Sequence, residues 1–179
     1  AGGVENMSRA PYVMGKPAKA FAVGAPPTFD TSLGWRFPNP LMKKLFPLEQ
    51  MGETAENLVE EHQISREDQD AFALASHQKA IAAQEAGAFD AELMAVSIPQ
   101  RKADPIVVDK DEHPRAGTTV EKLGKLPTPF REGGSVTAGN ASGIVDGAAA
   151  VLVTTAETAA AKGWAPIARV ASYASVGCD

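Results

Sequence analysis

The sequence predicts an α/β fold, in which helices and strands alternate along the chain. Residues 148–153 are apolar throughout, which is typical of a strand buried on both faces. A helical segment and a second apolar stretch at 167–173 follow, so strand, helix and strand succeed one another within about thirty residues. Such a βαβ unit normally belongs to a larger sheet, because two strands alone would leave long edges exposed.

Composition limits the classes of protein that the chain can represent. Its 179 residues suit one domain or slightly more, and 32 alanines with 6% aromatic residues predict a core of small side chains. A net charge of −5 argues against a nucleic-acid partner, and a single cysteine excludes an intrachain disulfide. No apolar run reaches the roughly 18 residues of a membrane span, and no signal peptide is visible, so we expect a cytoplasmic protein.

The N-terminal third contains short elements and a long loop. The first residues are typical of the end of a strand, and neither end of the sequence looks like a natural terminus, so we expect a piece of a longer protein. Residues 7–50 hold seven of the thirteen prolines, which disfavours long helices or strands there. The bulky apolar residues between 13 and 46 have two interpretations, namely packing on the chain's own core or contact with another subunit.

Two helices are predicted next. Thr54 is a candidate N-cap for the first, with Ala55, Leu58 and Val59 on one face. Ser65 and Asp68 resemble a capping box for the second, which is predicted to end at Gly87. The apolar face predicted for this second helix comprises Phe72, Ala75, Ala82, Ala83 and Ala86.

The remaining elements are short. Strands are predicted over 93–98 and 106–108, and Thr118 with Glu121 predicts a capped helix over 120–125. Thr154 with Glu157 predicts the cap of the last helix, which Gly163 ends.

The reactive side chains do not form a recognisable catalytic or metal motif. Cys178 follows a predicted strand and precedes Asp179, whose charge favours the neutral thiol, so we interpret it as structural. His62, His77 and His113 lack metal-ligand spacing and are interpreted as surface or packing residues.

The glycine-rich segment 137–143 (TAGNASG) is the strongest local signal. It has no bulky side chain, so a ligand can approach its backbone closely, and its N–H groups and the Ser142 hydroxyl can donate hydrogen bonds. It matches neither a Walker A loop nor a dinucleotide fingerprint. A tight structural turn before the buried strand explains the same spacing equally well.

Several motifs, taken together, resemble the thiolase family. They are residues 2–11 (GGVENMSRAP), 51–57 (MGETAEN), 65–73 (SREDQDAFA), 138–143 (AGNASG) and 146–150 (DGAAA). Residues 34–37 (GWRF) and 39–42 (NPLM) are similar to the acetyl-CoA acyltransferase and β-ketoadipyl-CoA thiolase branch. The matches are collinear and cover nearly the whole chain, so they are specific as a set.

The resemblance implies acyl transfer between a 3-ketoacyl-CoA and CoA, by thiolysis or by the reverse Claisen condensation. Coenzyme A is then a substrate, and no covalently bound cofactor or metal is expected. The family's nucleophilic Cys-x-Ser-Gly segment would precede Ala1, and its Asn-Glu-Ala-Phe, Gly-His-Pro and C-terminal Cys-Gly motifs would follow Asp179. The chain contains none of them. The resemblance therefore implies a central piece of a thiolase that carries no catalytic residue.

The same resemblance implies a domain organisation. Residues 1–7 match the end of an N-terminal core strand, and residues 8–143 match the loop domain that covers CoA. Residues 144–179 match a returning strand, helix and strand of the layered αβαβα core. The loop at 13–46 matches the region that joins subunits in dimeric and tetrameric thiolases, so a homodimer or homotetramer is implied.

Site residues are carried over position by position. Arg115 matches an arginine near the adenosine diphosphate of CoA, and Lys122 stands where the family often has serine. Met51 matches a methionine near the acyl group, although Gln50 replaces the histidine that often precedes it. The other matches are Phe130 and Ala138 as walls of the CoA site, with Ser142 and Gly143 along the pantetheine arm.

Two further interpretations stay open beside this one. The chain could be a non-catalytic CoA-binding or interaction module derived from a thiolase, or a structural scaffold without a ligand. The unbroken apolar run at 148–153 favours a missing partner sheet, hence a piece of an enzyme, over both.

Overall fold

The computed structural model describes residues 1–177 and divides them into two compact units. The first unit combines Ala1–Met7 with the chain from Asp146 onward, and the second is Ser8–Val145. In chain order the strands are β1 (Gly2–Glu5), β2 (Tyr12–Met14), β3 (Thr28–Asp30), β4 (Val96–Ile98), β5 (Ile106–Val108) and β6 (Gly147–Ala150). The α-helices are α1 (Pro40–Leu45), α2 (Met51–His62), α3 (Arg66–Glu85), α4 (Val120–Leu123) and α5 (Ala156–Ala161), and Met7–Arg9 forms a 3₁₀ turn.

The first unit is built on a two-stranded antiparallel sheet. Strand β1 pairs with β6, with Gly2 opposite Ala150 and Glu5 opposite Gly147. The ladder continues for one more pair, because the N-terminal ammonium of Ala1 donates to the Val151 carbonyl at 2.8 Å and the Val151 N–H donates back at 2.7 Å. Residues 1–5 are thus paired without a break to residues 147–151, which lie about 150 positions later in the chain.

Two predictions for this unit are wrong within the described residues. The apolar run at 148–153 is not buried on both faces, since Val151, Leu152 and Val153 are 62%, 75% and 71% exposed. Residues 167–173 form no strand, because no neighbouring strand in the described part of the chain supplies backbone hydrogen-bond partners. The predicted strand–helix–strand sequence is therefore present only as β6 and α5.

Helix α5 begins one residue later than predicted. Its N-cap is Thr155, whose hydroxyl accepts a hydrogen bond from the Thr158 N–H at 3.2 Å, and not Thr154. Gly163 ends the helix with a φ of +66°, a conformation that glycine adopts without steric cost, so that part of the prediction is confirmed.

The second unit contains two β-hairpins and the other four helices. Strand β2 pairs with β3, and β4 pairs with β5, both antiparallel. The predicted strand at 93–98 is shorter than expected, while the strand at 106–108 is confirmed.

Helix α2 starts earlier than the sequence predicts, and its inward face is different. The Gln50 carbonyl already accepts the Thr54 N–H at 3.0 Å, so Thr54 lies inside the helix and is not its cap. Of the predicted apolar face, Ala55 and Val59 are half-buried, but Leu58 is 47% exposed while Glu56 is 2% exposed.

Helix α3 confirms its predicted ends but not its predicted face. The Ser65 hydroxyl accepts the Asp68 N–H at 3.0 Å and donates to the Asp68 carboxylate at 2.7 Å. Gly87 follows the helix with a φ of +68°. Phe72, however, is 79% exposed, while Asp70 is buried and paired with Arg66. Of the predicted alanines, Ala75 and Ala83 are half-buried and Ala82 and Ala86 are exposed, so Asp70 is the most buried residue of this helix.

Helix α4 is capped by Thr119 and not by Thr118. The Thr119 hydroxyl accepts the Lys122 N–H at 3.3 Å. The backbone N–H of Glu121 and the same hydroxyl donate to the Glu121 carboxylate, which lowers the pKa of that carboxyl below its ordinary value. The first turn of α4 therefore carries a negative charge at neutral pH, as the positive end of a helix dipole favours.

The loop at 13–46 does not pack on a core of its own chain. Phe29 and Phe37 contact each other edge to face, with ring centroids 5.0 Å apart, and Trp35 donates to the Glu49 carbonyl at 3.1 Å. The bulky residues of α1 are nevertheless exposed, with Leu41 and Leu45 at 62% and 63%. The interpretation that this loop packs on the chain's own core is thus wrong for Leu41 and Leu45.

The interior of the second unit is built around a buried carboxylate. Glu56 Oε1 accepts the N–H groups of Ser135 and Val136 at 2.8 Å and 2.7 Å, and Oε2 accepts the Ser135 hydroxyl at 3.2 Å. The fully buried residues of this unit are Glu56, Asp70, Leu123, Val136 and Thr137. This interior is more polar than the small-residue core that the composition predicts.

Among the described residues, no helix combines the length and the apolar character that crossing a bilayer requires.

We expect Glu56→Ala to destabilise the second unit, because two buried N–H groups would lose their charged acceptor. The free energy of unfolding should fall by about 3 kcal/mol, measured by urea denaturation. Glu56→Gln keeps an acceptor oxygen and should cost less than half as much. Glu61→Ala, on the exposed side of the same helix, is the matched control and should change the free energy by less than about 0.5 kcal/mol. Equal losses for Glu56→Ala and Glu61→Ala would contradict the role of this carboxylate.

Candidate functional site

The glycine-rich segment 137–143 folds as a tight turn held by its own side chains. The Asn140 carboxamide oxygen accepts the Thr137 N–H at 2.7 Å, and the Thr137 hydroxyl accepts the Gly139 N–H at 3.1 Å. The Thr137 carbonyl in turn accepts the N–H groups of Asn140 and Ala141 at 3.3 Å and 3.0 Å. The structural turn that the spacing allowed is therefore present, and it leaves the residues after it exposed.

Asn140 also ties this turn to helix α3. Its amide nitrogen donates to Asp70 at 3.0 Å and to the Ser135 carbonyl at 3.2 Å. The other Asp70 oxygen accepts from Arg66 at 2.8 Å, and Arg66 donates to the Leu123 carbonyl at the end of α4, also at 2.8 Å. One chain of hydrogen bonds thus joins the turn, α3 and α4, and it positions the backbone that leads into Ser142 and Gly143.

Gly143 lies against a pair of histidines. A Cβ atom at this position would overlap the His113 ring, so glycine is required for the close approach. His113 stacks on His77 with ring centroids 6.2 Å apart, and His77 Nδ1 accepts the Arg115 N–H at 3.2 Å. The interpretation of these two histidines as packing residues agrees with these contacts. They connect Arg115 to the Ser142–Gly143 end of the glycine-rich segment.

The two predicted cationic residues flank one turn. The Thr118 N–H donates to the Arg115 carbonyl at 3.2 Å, and Lys122 Nζ donates to the Gly117 carbonyl at 2.6 Å. Both charged side chains are exposed. Two positive charges on one exposed turn can attract an anionic ligand, and a guanidinium matches phosphate geometry especially well.

Met51 and Phe130 form a separate group at the start of α2. Met51 is the first residue of the helix and is 83% exposed. The Phe130 ring lies on Gly52, where a Cβ atom would overlap it. Met51 precedes Gly52 in the chain, and its exposed, flexible thioether can adapt to an apolar ligand.

The predicted site residues therefore fall into local groups of one unit. Met51 lies near Phe130, Arg115 and Lys122 share a turn, and Gly143 reaches that turn through the histidines. Ala138 is exposed between buried Thr137 and half-buried Gly139, and Ser142 is exposed beside Gly143. Sequence reasoning missed the contacts of His77, His113 and Gly52, because no local spacing signals a contact between residues tens of positions apart.

Residues 1–177 contain no cluster of His, Cys, Asp or Glu side chains arranged to hold a metal ion. Cys178 lies outside the described residues, so its interpretation as a structural thiol stays a prediction. The chemistry that the described site can offer is polar and apolar contact with a ligand, together with two exposed positive charges.

We expect Asn140→Asp to loosen the glycine-rich turn. The substitution keeps the acceptor for Thr137 but places a carboxylate oxygen against Asp70, and the free energy of unfolding should fall by about 2 kcal/mol. Amide hydrogen exchange at residues 141–143 should become faster than in the wild type. In the double variant with Asp70→Asn, the amide at position 70 can donate to the carboxylate at position 140, so part of the lost free energy of unfolding should be recovered. Unchanged exchange in the Asn140→Asp variant would contradict the role of this side chain.

Comparison with known proteins gives the same family from three directions. The model of the family described as "Thiolase, N-terminal domain" matches residues 1–157. The chain is 51% identical over 179 residues to a β-ketoadipyl-CoA thiolase of Acinetobacter baylyi. It is 50% identical over the same length to the 3-oxoadipyl-CoA/3-oxo-5,6-dehydrosuberyl-CoA thiolase of Escherichia coli strain K12. In both cases 100% of this chain is covered but only 44% of the relative, so the chain spans less than half the length of these relatives.

A solved structure supports the same conclusion about the fold. The crystal structure of the Bacillus anthracis acetyl-CoA acetyltransferase superposes with a TM-score of 0.74 at 43% identity, covering 91% of this chain and 40% of that one. The predicted α/β class and its thiolase-like character are confirmed by this similarity. The family match covers well over half of the sequence, the relatives align along all of it, and the fold agrees. The chain belongs to the thiolase family, and its residues 1–157 match the model of the family's N-terminal domain.

Proposed function

We propose that the protein containing this chain transfers an acyl group between a 3-ketoacyl-CoA and CoA. In the thiolytic direction, CoA and a 3-ketoacyl-CoA give acetyl-CoA and an acyl-CoA shortened by two carbons. The observation that carries the proposal is identity of about half along the entire chain to proteins named as thiolases. The names of both relatives contain the same compound, as β-ketoadipyl-CoA in one and 3-oxoadipyl-CoA in the other, so we propose this acyl-CoA from the breakdown of aromatic compounds as the first substrate to test.

Within that enzyme, we propose that residues 8–143, which make up nearly all of the compact unit Ser8–Val145, are the loop domain that covers CoA. The two flanking segments, 1–7 and 144–179, then belong to the layered core. The exposed apolar residues Val151, Leu152 and Val153 support this assignment, because such a surface favours burial against further protein. The exposed residues of α1 support an interface between copies in a homodimer or homotetramer.

The site geometry supports a division of CoA among the three groups of residues. Arg115 and Lys122 lie on one exposed turn and would meet the phosphates. Ser142 and Gly143 are exposed and would follow the pantetheine arm. Phe130 and Ala138 would form walls of the CoA site, and Met51 would lie near the acyl group.

We propose that none of the 179 residues is catalytic. Thiolysis needs an activated thiolate, and the collinear resemblance aligns the family's nucleophilic Cys-x-Ser-Gly segment upstream of residues 2–11, so Cys178 does not match the nucleophile. A second candidate function, a CoA-binding module without catalysis, is favoured by the same observation if the encoded protein ends where this sequence does. A cytoplasmic location stays a prediction.

The decisive experiment compares this chain with the protein at its full encoded length. The intact denatured mass of each sample is measured first, so that the length is known. We expect a longer protein to cleave acetoacetyl-CoA and 3-oxoadipyl-CoA in the presence of CoA, followed by loss of enolate absorbance. A sample verified at 18.7 kDa should cleave neither. Turnover by that sample would contradict the absence of a catalytic residue, and no turnover by a longer protein would contradict the thiolase assignment.

Arg115→Ala should weaken binding of CoA by about 1.4- to fivefold, because an exposed ion pair contributes about 0.2–1 kcal/mol. Binding is measured by isothermal titration calorimetry at fixed salt. The affinity for pantetheine, which lacks the adenosine diphosphate, should not change. Arg101→Ala, in the β4–β5 hairpin, removes the same charge elsewhere and should have no effect on either ligand. An equal loss of affinity for CoA and pantetheine would overturn the placement of Arg115 near the phosphates.

A further inference from the structure

Arg131 contacts one face of helix α2 through three side chains. Its Nε donates to Glu53 at 2.8 Å, one terminal nitrogen donates to Glu60 at 2.7 Å, and the other donates to the Asn57 carboxamide oxygen. The second terminal nitrogen also lies 2.6 Å from Glu53, so this carboxylate is held by two nitrogens of the guanidinium. Positions 53, 57 and 60 are spaced by four and three residues, which places them on one helical face.

The environment of this arginine differs from that of a solvated surface pair. Its side chain is 23% exposed and that of Glu53 is 30% exposed, whereas Glu60 is 72% exposed. The hydrogen bond from Arg131 to Glu53, together with its charge, raises the pKa of Arg131 above its ordinary value. The planar guanidinium supplies several donors in a rigid arrangement, which a lysine cannot reproduce.

The residue before this arginine is Phe130, whose ring lies on the same helix. The ring covers Gly52, the residue that precedes Glu53, so consecutive helix positions receive the ring and the guanidinium. Residues 127–129 belong to no helix or strand. The hydrogen bonds of Arg131 to α2 therefore anchor the backbone next to Phe130, and so restrict where the Phe130 ring can lie.

Gly52 provides the space on α2 that the Phe130 ring occupies. Any side chain at this position would overlap the ring, so the helix leaves space for the ring at its second residue. Met51, the first residue of the same helix, is exposed next to it. The ring therefore lies on the first turn of α2, one residue from Met51 along the chain.

We propose that Arg131 is a positioning residue for ligand binding: by holding Glu53, Asn57 and Glu60 it keeps the Phe130 ring on Gly52, where the ring forms one wall of the CoA site. This inference rests on the proposed function, because it assumes that Phe130 contacts CoA. A purely structural role for Arg131 predicts something different. In that case its loss would lower stability, but any effect on affinity would not depend on Phe130.

A double-mutant cycle on the protein at its full encoded length separates these two roles. The variants are Arg131→Gln, Phe130→Ala and the combination of both, and the measurements are the Kd for CoA and the thermal unfolding temperature. We expect Arg131→Gln to raise the Kd about fivefold in the wild-type background and by less than about 1.5-fold in the Phe130→Ala background. Arg131→Gln should lower the unfolding temperature in both backgrounds, because its bonds to Glu53, Asn57 and Glu60 are lost in each.

Two further variants complete the experiment. Gly52→Ala leaves the arginine contacts in place but displaces the ring, so it should raise the Kd at least as much as Arg131→Gln, and it serves if the arginine variant does not fold. Arg101→Gln removes the same charge and should leave the Kd unchanged. An equal rise in Kd from Arg131→Gln in both backgrounds, or no rise from Gly52→Ala, would overturn the inference while the proposed function stands. No binding of CoA by the wild-type protein would overturn the proposed function itself, and this inference with it.

Discussion

The packing of the second unit depends on the hydrogen bonds that the Glu56 carboxylate, which is 2% exposed, accepts from a distant segment of the chain. A carboxylate removed from water is costly unless hydrogen bonds replace its solvation, and here two backbone N–H groups and one hydroxyl do so. These donors belong to Ser135 and Val136, nearly eighty residues away. Their position determines where the glycine-rich turn begins, and through Asn140 and Asp70 that turn is joined to α3. The exposed backbone at Ser142 and Gly143 follows from this sequence of contacts.

The two units differ in their side chains: the second has a network of hydrogen-bonded polar groups, whereas the first exposes apolar residues. In the second unit, polar side chains of α2 and α3 connect helices to loops, and such networks hold a specific geometry when all members have partners. No buried side-chain nitrogen or oxygen among the described residues lacks a hydrogen-bond partner. In the first unit, the three residues that follow β6, namely Val151, Leu152 and Val153, are 62–75% exposed. That contrast agrees with a chain that spans 44% of its thiolase relatives.

Close approach to glycine explains two features of the proposed CoA surface. At Gly52 the missing side chain admits the Phe130 ring, and at Gly143 it admits the His113 ring. In each case a ring from a loop lies directly on the backbone of another segment, so a single added methyl group would move it. The glycine-rich segment therefore serves internal packing at Gly143 as well as the proposed access for a ligand at Ser142.

The sequence by itself determined the family, because motifs spread along the chain act together, and it determined features that depend on neighbouring residues. The cap at Ser65, the turn at Gly87 and the strand at 106–108 are examples, since a hydroxyl, a positive φ or a β-branched run acts within a few residues. Caps at Thr119 and Thr155 were predicted one residue too early, because adjacent threonines offer the same chemistry and only the backbone angles choose between them.

Only the tertiary structure decided which residues face inward and which site residues meet. The burial of Glu56 and Asp70 in place of Leu58 and Phe72 follows from partners far along the chain. The same holds for the stacking of His77 on His113 and for the grip of Arg131 on α2. Local periodicity carries no information about such pairs, because the free energy of burying a polar group depends on whether a distant segment supplies its hydrogen bonds.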